Sequence, residues 1–279
     1  MRAIDPQPVQ TVLQRCARNV ETALALLVRR PRGDVRYPWP IDWRRAGIAA
    51  AITAGALVLG MILIDGPIMR AVSHLPRWIV WLFEQITDFG LGAWFLWPLG
   101  VLFLLLAALP ATLPRFPQLV LAAIMVRVGF LFTAIALPGL FGTVVKRLIG
   151  RARPNVSAIV DPYVFHPFAW RADYASFPSG HATTAFAVLV AFGTLWPRAR
   201  TAFLVYAALI AVSRVVVNGH FPTDVAAGAI VGGLGAMLVR RWFALRHLGF
   251  AAAPDGVVRQ FPLPSLKRVK AVARALLSE

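Results

Sequence analysis

Acidic side chains are scarce: 12 of 279 residues are Asp or Glu, and charged residues of both signs make up only 15 % of the chain. One cysteine, Cys16, is present, so no internal disulfide can form and a disulfide-stapled secreted scaffold is excluded. Soluble domains carry about 25 % charged residues, and a chain this poor in charge is neither disordered nor an ordinary soluble domain. Lysine is rare as well, with Lys146, Lys267 and Lys270 its only occurrences. No internal repeat is visible. The N-terminal tail has only a short apolar run, 23–28, and lacks an Ala-x-Ala-like cleavage site, so no removable signal peptide is expected.

What fills the chain is apolar: 58 % hydrophobic residues and a mean hydropathy of +0.68. Six stretches approach or reach the roughly 17–25 residues a membrane-crossing helix needs, near 46–64, 93–110, 118–142, 179–196, 201–217 and 223–243. Inside lipid, backbone groups must be satisfied within the segment, so these read as helices. A seventh apolar segment, 78–87, is too short to span. Its Trp78 and Trp81 beside Arg77 and Glu84 suggest a helix lying at the interface. The expected fold is therefore an all-α membrane protein: a six-helix transmembrane bundle over 46–243, an interfacial helix, and basic cytoplasmic tails at 1–45 and 244–279. Residues 9–28 and the stretch from Phe261 have the pattern of amphipathic surface helices.

Against this oily background stand 29 Lys and Arg residues and a net charge of +17. Twenty of the 29 fall in the N-terminal tail, in the C-terminal segment from Arg240, or in the short loops 111–117 and 197–200. With an even number of spans these all share one side, which the positive-inside rule makes the cytoplasm. Topology thus accounts for most of a charge excess that would otherwise suggest nucleic-acid binding, and no nucleic-acid partner is expected. Nine basic residues do not comply: Arg70, Arg77, Arg127, Lys146, Arg147, Arg151, Arg153, Arg171 and Arg214. Arg127 lies within the third span with no evident purpose. The others sit at or near the outer face, and four crowd into 146–153.

Three short segments meet at that face. In KRLIGRARP (146–154), Lys146 and Arg153 are seven residues apart, which places both on one face if the third helix extends to Pro154. Two cations on one face suit a multiply charged anion such as phosphate; the same cluster would also suit anionic headgroups. In FPSGH (177–181), Ser179 is a candidate N-cap, with Gly180 and His181 in the first helical turn. Free N–H groups there bind anions, Gly180 permits close approach, and His181 stands where a general acid must. In SRVVVNGHFPTD (213–224), Arg214 ends a span, and His220 is followed four residues later by Asp224. A carboxylate bonded to one imidazole nitrogen leaves the other free as a nucleophile. His-x3-Asp also suits half of a metal site, but three nearby cations and no further carboxylate cluster argue against a divalent ion.

The order Lys-x6-Arg-Pro, Pro-Ser-Gly-His, Ser-Arg-x5-His-x3-Asp resembles the type 2 phosphatidic-acid phosphatase superfamily, which also holds glucose-6-phosphatase and the vanadium-dependent haloperoxidases. The motifs cover 146–224, and the span layout extends the likeness over about 46–243. The resemblance implies that Lys146, Arg153 and Arg214 hold the phosphoryl oxygens with Ser179 and the Gly180 N–H. It implies His220 as nucleophile forming a phosphohistidine, Asp224 as its support, and His181 as acid and then base. Neither metal nor cofactor is implied. Asn155 and Val156 stand where many relatives carry a second basic-Pro pair. The expected activity is removal of phosphate from a membrane lipid phosphate or diphosphate, at a site facing the periplasm or exterior of a bacterial inner membrane. Candidate substrates are undecaprenyl diphosphate, lipid A phosphate, phosphatidic acid and phosphatidylglycerol phosphate. A lipid phosphotransferase using the same phosphohistidine, or a non-catalytic lipid-binding or transport protein, are the alternatives. His74, His166 and His247 read as interfacial or structural, the aromatic run Tyr163, Phe165, Phe168 and Trp170 as a belt or a lipid rim, and Gly228 and Gly232 as a site of close helix packing.

Overall fold

The computed structural model describes residues 11–31, 42–109, 114–156, 160–253 and 256–277. The tail arginines Arg2, Arg32 and Arg36 lie outside the described residues. The described chain is mostly helical, as a sequence that must satisfy its backbone in an apolar medium requires.

Helix α1 (Val12–Val28) starts with a reciprocal cap, in which Gln14 N donates to Thr11 Oγ1 and Thr11 N to Gln14 Oε1. It is tied to the bundle: Asn19 Nδ2 donates to the Ala107 carbonyl, and Trp242 Nε1 donates to that of Leu27. A run from Trp43 to Val72 follows, made of α2 (Trp43–Gly60), a π-helical segment at Met61–Asp65, and α3 (Gly66–Val72). Helix α4 (Arg77–Thr87) continues through a tight turn, Asp88–Gly90, into α5 (Ala93–Ala108), so the expected interfacial segment leads directly into the second long run. Helix α6 (Arg115–Ile149) has 35 residues. At 1.5 Å per residue it is about 52 Å long, well beyond the roughly 30 Å of a hydrocarbon core. Its last turn carries Lys146 and Arg147.

Helix α7 (Gly180–Leu195), α8 (Arg200–Val216) and α9 (Pro222–Leu245) complete the bundle. Five of the helical runs are long and apolar enough to cross a membrane. The expected fourth span is instead α7, a shorter apolar helix of 16 residues bounded by Ser179 and Trp196. It is enclosed rather than lipid-facing: Ala182, Ala185, Ala187, Val188 and Ala191 are all buried.

The core lies where α6, α7 and α9 meet, with Phe130, Ile135, Val188, Ala191, Ala236 and Phe243 packed together. Small residues set the spacing. A β-carbon at Gly228 would collide with the Ser179 carbonyl, and one at Gly232 with that of Thr183, so α9 lies backbone to backbone on α7. The outer faces remain apolar, Ile52, Leu59, Trp94 and Leu105 among them, as surfaces bathed in lipid would be.

The segment after α9 forms more structure than a surface helix. An antiparallel pair, β1 (Phe250–Ala252) and β2 (Val258–Gln260), sets Phe250 opposite Gln260. The pair drives Phe250 into the core against Phe130, ring centroids 4.8 Å apart. Helix α10 (Leu266–Leu277) follows. Arg127 gains an explanation here. Its guanidinium donates to the carbonyls of Phe261 and Pro262 at 2.9 and 3.0 Å, fastening this segment to the middle of the bundle.

Candidate active site

The three sequence segments converge at the end of the bundle where α6 and α8 finish and α7 and α9 begin. Helix α6 stops earlier than Pro154 suggests. Gly150 adopts a left-handed conformation (φ 63°) and donates to the Lys146 carbonyl, closing the helix at Ile149. Lys146 and Arg153 are therefore not two turns apart on one helix. Lys146 rides on the last turn, whereas Arg153 sits in a loop that folds back. Ala152 N donates to Val164 O, Arg153 N to Asp173 O, and Ser176 N to Arg151 O.

Helix α7 opens at Ser179, whose backbone N–H donates to the Asp224 carbonyl at 2.9 Å. The expected side-chain cap is not made: Ser179 Oγ is buried and has no hydrogen-bond partner among the described residues. At this end of the bundle two arginine nitrogens share that condition, Arg153 Nε and Arg214 Nε; elsewhere among the described residues so do Nε of Arg29, Arg127, Arg240 and Arg246. Buried donors are ordinarily paired, and three in one place fit an oxyanion-rich ligand. Lys146 Nζ lies 3.5 Å from where a β-carbon on Gly180 would stand, which brings the ammonium over the first turn of α7. Gly90 packs against the His181 ring from the other side.

Arg214, in the last turn of α8, donates through Nη1 to Thr87 Oγ1 at 2.7 Å. The chain then turns around the Arg214 carbonyl, which accepts from Gly219 N and His220 N, with Asn218 at a positive φ of 55°. This turn drops His220 to a site only 1 % exposed. Burial is the main reason its imidazole is pushed down to about 4. The Asp224 carboxylate works in the opposite direction, and Arg214 and Lys146 add to the lowering. Burial likewise lowers Arg153, partly offset by Asp173 and Asp224.

Asp224 does not bond His220 directly, contrary to the simple reading of their spacing. Nδ1 of His220 is 3.8 Å from Asp224 Oδ2. Ser176 stands between them, its Oγ donating to Oδ2 at 2.5 Å and lying 3.4 Å from Nδ1. Because the serine proton is used on Asp224, its oxygen is left to accept from Nδ1–H. That arrangement leaves the lone pair on Nε2. Phe221 N also donates to Oδ2, and Oδ1 takes Arg151 Nη1 at 2.6 Å. Arg151 is wholly buried, spread over the Phe221 ring, and bonded through Nη2 to Asp65 Oδ2 at 2.8 Å.

All eight residues singled out by the motifs, Lys146, Arg153, Ser179, Gly180, His181, Arg214, His220 and Asp224, thus lie on the segments that meet here, and their charged members interact electrostatically. Four participants escaped the sequence reading: Asp65, Thr87, Arg151 and Ser176. Arg151 carried a signal, being among the nine misplaced cations. Asp65 carried one too, as a carboxylate inside the run GMILIDGPIM, but it lies one residue beyond the expected first span, 46–64. Thr87 and Ser176 carried none. Among the described residues no group of three or more His, Cys, Asp or Glu side chains is placed to hold a metal ion.

The chain is similar to known proteins. Residues 127–248 match the PAP2 superfamily. A lipid A 1-phosphatase of Rhizobium johnstonii is 35 % identical over 224 residues, covering 77 % of this chain and 91 % of the relative. One from Rhizobium etli is 36 % identical, covering 78 % and 92 %. A probable lipid phosphate phosphatase beta of Arabidopsis thaliana is 30 % identical over 228 residues, covering 66 % and 92 %. The crystal structure of Aquifex aeolicus LpxE aligns over 63 % of this chain and 94 % of its own, with 22 % identity and a TM-score of 0.45. At 35 % identity over nine-tenths of the Rhizobium johnstonii relative's length, this chain belongs to the PAP2 superfamily and is a phosphatase.

Proposed function

We propose that this protein is a six-span bacterial inner-membrane phosphatase that removes the phosphate at position 1 of lipid A through a phosphohistidine, without a metal ion. The observation that carries the reading is the set of three buried, unpartnered donors, Ser179 Oγ, Arg153 Nε and Arg214 Nε, gathered around a histidine held neutral by burial. Lipid A is favoured over the other lipid phosphates by the two Rhizobium relatives. An apolar groove of about 500 Å³ between α2 and α9, lined by Ala56, Gly60, Ile64, Ala226 and Ile230, ends at Thr223 beside Asp224. It offers an acyl chain a place within the bilayer while the phosphate reaches the outer end of the bundle.

In this mechanism Lys146, Arg153 and Arg214, with Ser179 Oγ and the Gly180 N–H, hold the non-bridging oxygens. Fixed cations there offset the charge that develops on the transferring group. The Nε2 lone pair of His220 forms the P–N bond as the P–O bond to the lipid breaks, and protonated His181 gives its proton to the leaving oxygen. Neutral His181 then takes a proton from water, whose oxygen bonds phosphorus as the P–N bond breaks and its electron pair returns to Nε2. Asp224, through Ser176, steadies the imidazole in both steps.

The test is purified protein in liposomes with lipid A, phosphatidic acid, phosphatidylglycerol phosphate and undecaprenyl diphosphate offered separately. Inorganic phosphate should appear fastest from the 1-position of lipid A, with EDTA present or absent, and His220→Ala should release none. Faster release from another lipid would overturn the substrate. Phosphate found only on a second lipid would overturn hydrolysis, and chelator inhibition reversed by a divalent ion would overturn metal independence.

A further inference from the structure

The only carboxylate in the run 43–72 is Asp65, and it is fully buried. The π-helical segment Met61–Asp65 turns it inward at the join with α3. Asp65 Oδ1 accepts from Thr223 N at 3.0 Å, while Oδ2 takes Arg151 Nη2 and the Thr223 hydroxyl. Arg151 in turn holds Asp224 Oδ1 through Nη1. Two carboxylates therefore share one guanidinium, all three 0 % exposed. A lone Arg151–Asp224 pair would be neutral; with Asp65 the group carries one net negative charge directly behind the nucleophile.

That charge matters because everything else facing His220 is positive or neutral. Arg214 approaches from α8, Lys146 from α6 and His181 from α7, while Ser176 and Asp224 stand at Nδ1. The imidazole gains positive charge as it forms a bond to phosphorus. A neutralised carboxylate behind it would stabilise that charge poorly.

We infer that Asp65 is a positioning residue of the reaction: by occupying half of the Arg151 fork it leaves Asp224 its negative charge for His220, and it couples the first membrane run to the nucleophile. This rests on the phosphohistidine reading given above.

Three variants in liposomes with lipid A separate the possibilities: Asp65→Asn, the double neutral change Asp65→Asn/Arg151→Gln, and His220→Ala. Asp65→Asn leaves a neutral Arg151–Asp224 pair, so kcat should fall by roughly 10- to 100-fold with KM little changed. Its imidazole becomes harder to protonate, so at pH 4 it should retain a larger fraction of its neutral-pH rate than the native chain does. The double change leaves Asp224 as the sole charge and should restore both kcat and the native acid profile in large part, even if the single variant does not fold. If His220→Ala is inactive but Asp65→Asn keeps native kcat, the role of Asp65 is refuted and the phosphatase reading stands. The same holds if the double variant is no better than the single one. Turnover by His220→Ala would overturn the phosphohistidine and this inference together.

Discussion

At the residue scale the site depends on one hydroxyl that carries no motif. Ser176 links His220 to Asp224, whose direct separation of 3.8 Å is too long for a hydrogen bond. Ser176→Ala removes the acceptor for Nδ1–H and one of the donors to Oδ2, while the backbone N–H of Phe221 still satisfies that oxygen. The imidazole should lose its fixed tautomer but keep its position. The expected result is a kcat roughly tenfold or more below native, with phosphate binding, read as inhibition by inorganic phosphate, little altered. An unchanged kcat would mean that His220 reaches Asp224 without the serine. The His220–Asp224 spacing made their neighbourhood legible because both belong to one turn and its following helix. The serine was not legible, because it reaches them across 44 and 48 residues of chain. Thr87, which meets Arg214 across 127 residues, was hidden for the same reason. Motif residues with local spacing can be read from sequence; contacts created by the fold cannot.

At the scale of elements, apolar runs announced the helices but not all their ends. Gly150 ends α6 by entering the left-handed region, four residues before the proline that seemed to mark the stop. The consequence reaches the site: Arg151 and Arg153 become loop residues, free to turn toward Asp224 and the α7 N-terminus rather than line a helix face. The hairpin β1–β2 was also missed, because three-residue strands leave too little alternation to read. The glycines of α9 serve close packing, as their spacing predicts, and they allow a sharp comparison. A side chain at Gly232 must displace the Thr183 backbone, whereas Gly233, one residue on, has nothing within 4 Å of its would-be β-carbon. Gly232→Val should destabilise the bundle by about 1–3 kcal/mol, the usual cost of overpacking, and Gly233→Ala should be close to neutral. Thermal unfolding in detergent measures both. Similar melting temperatures for the two variants would show that α7 and α9 do not need this approach.

At the scale of the molecule, the distribution of charge makes one geometric demand. The nine non-complying cations include Lys146, Arg153 and Arg214, gathered where α6 and α8 end, while Arg127 turns out to fasten the C-terminal segment to the bundle. α1 is tied to the opposite ends of α5 and α9, through Ala107 and Trp242, and so stands a bundle length from His220. If the basic ends face the cytoplasm, the loop bearing Trp170 must face the exterior. Two exposed side chains report on this, Trp170 at 82 % and Leu266 at 78 % exposure. With Cys16 replaced by serine to remove the one native thiol, Trp170→Cys and Leu266→Cys each give a single reactive position. In sealed right-side-out vesicles a membrane-impermeant maleimide should label the cysteine at position 170 at once, and the one at position 266 only after permeabilisation. The reverse pattern would invert the topology and put phosphate release on the cytoplasmic side. Labelling of both in sealed vesicles would mean that the site and the C-terminal segment share a face, which an α6 about 52 Å long between them does not permit.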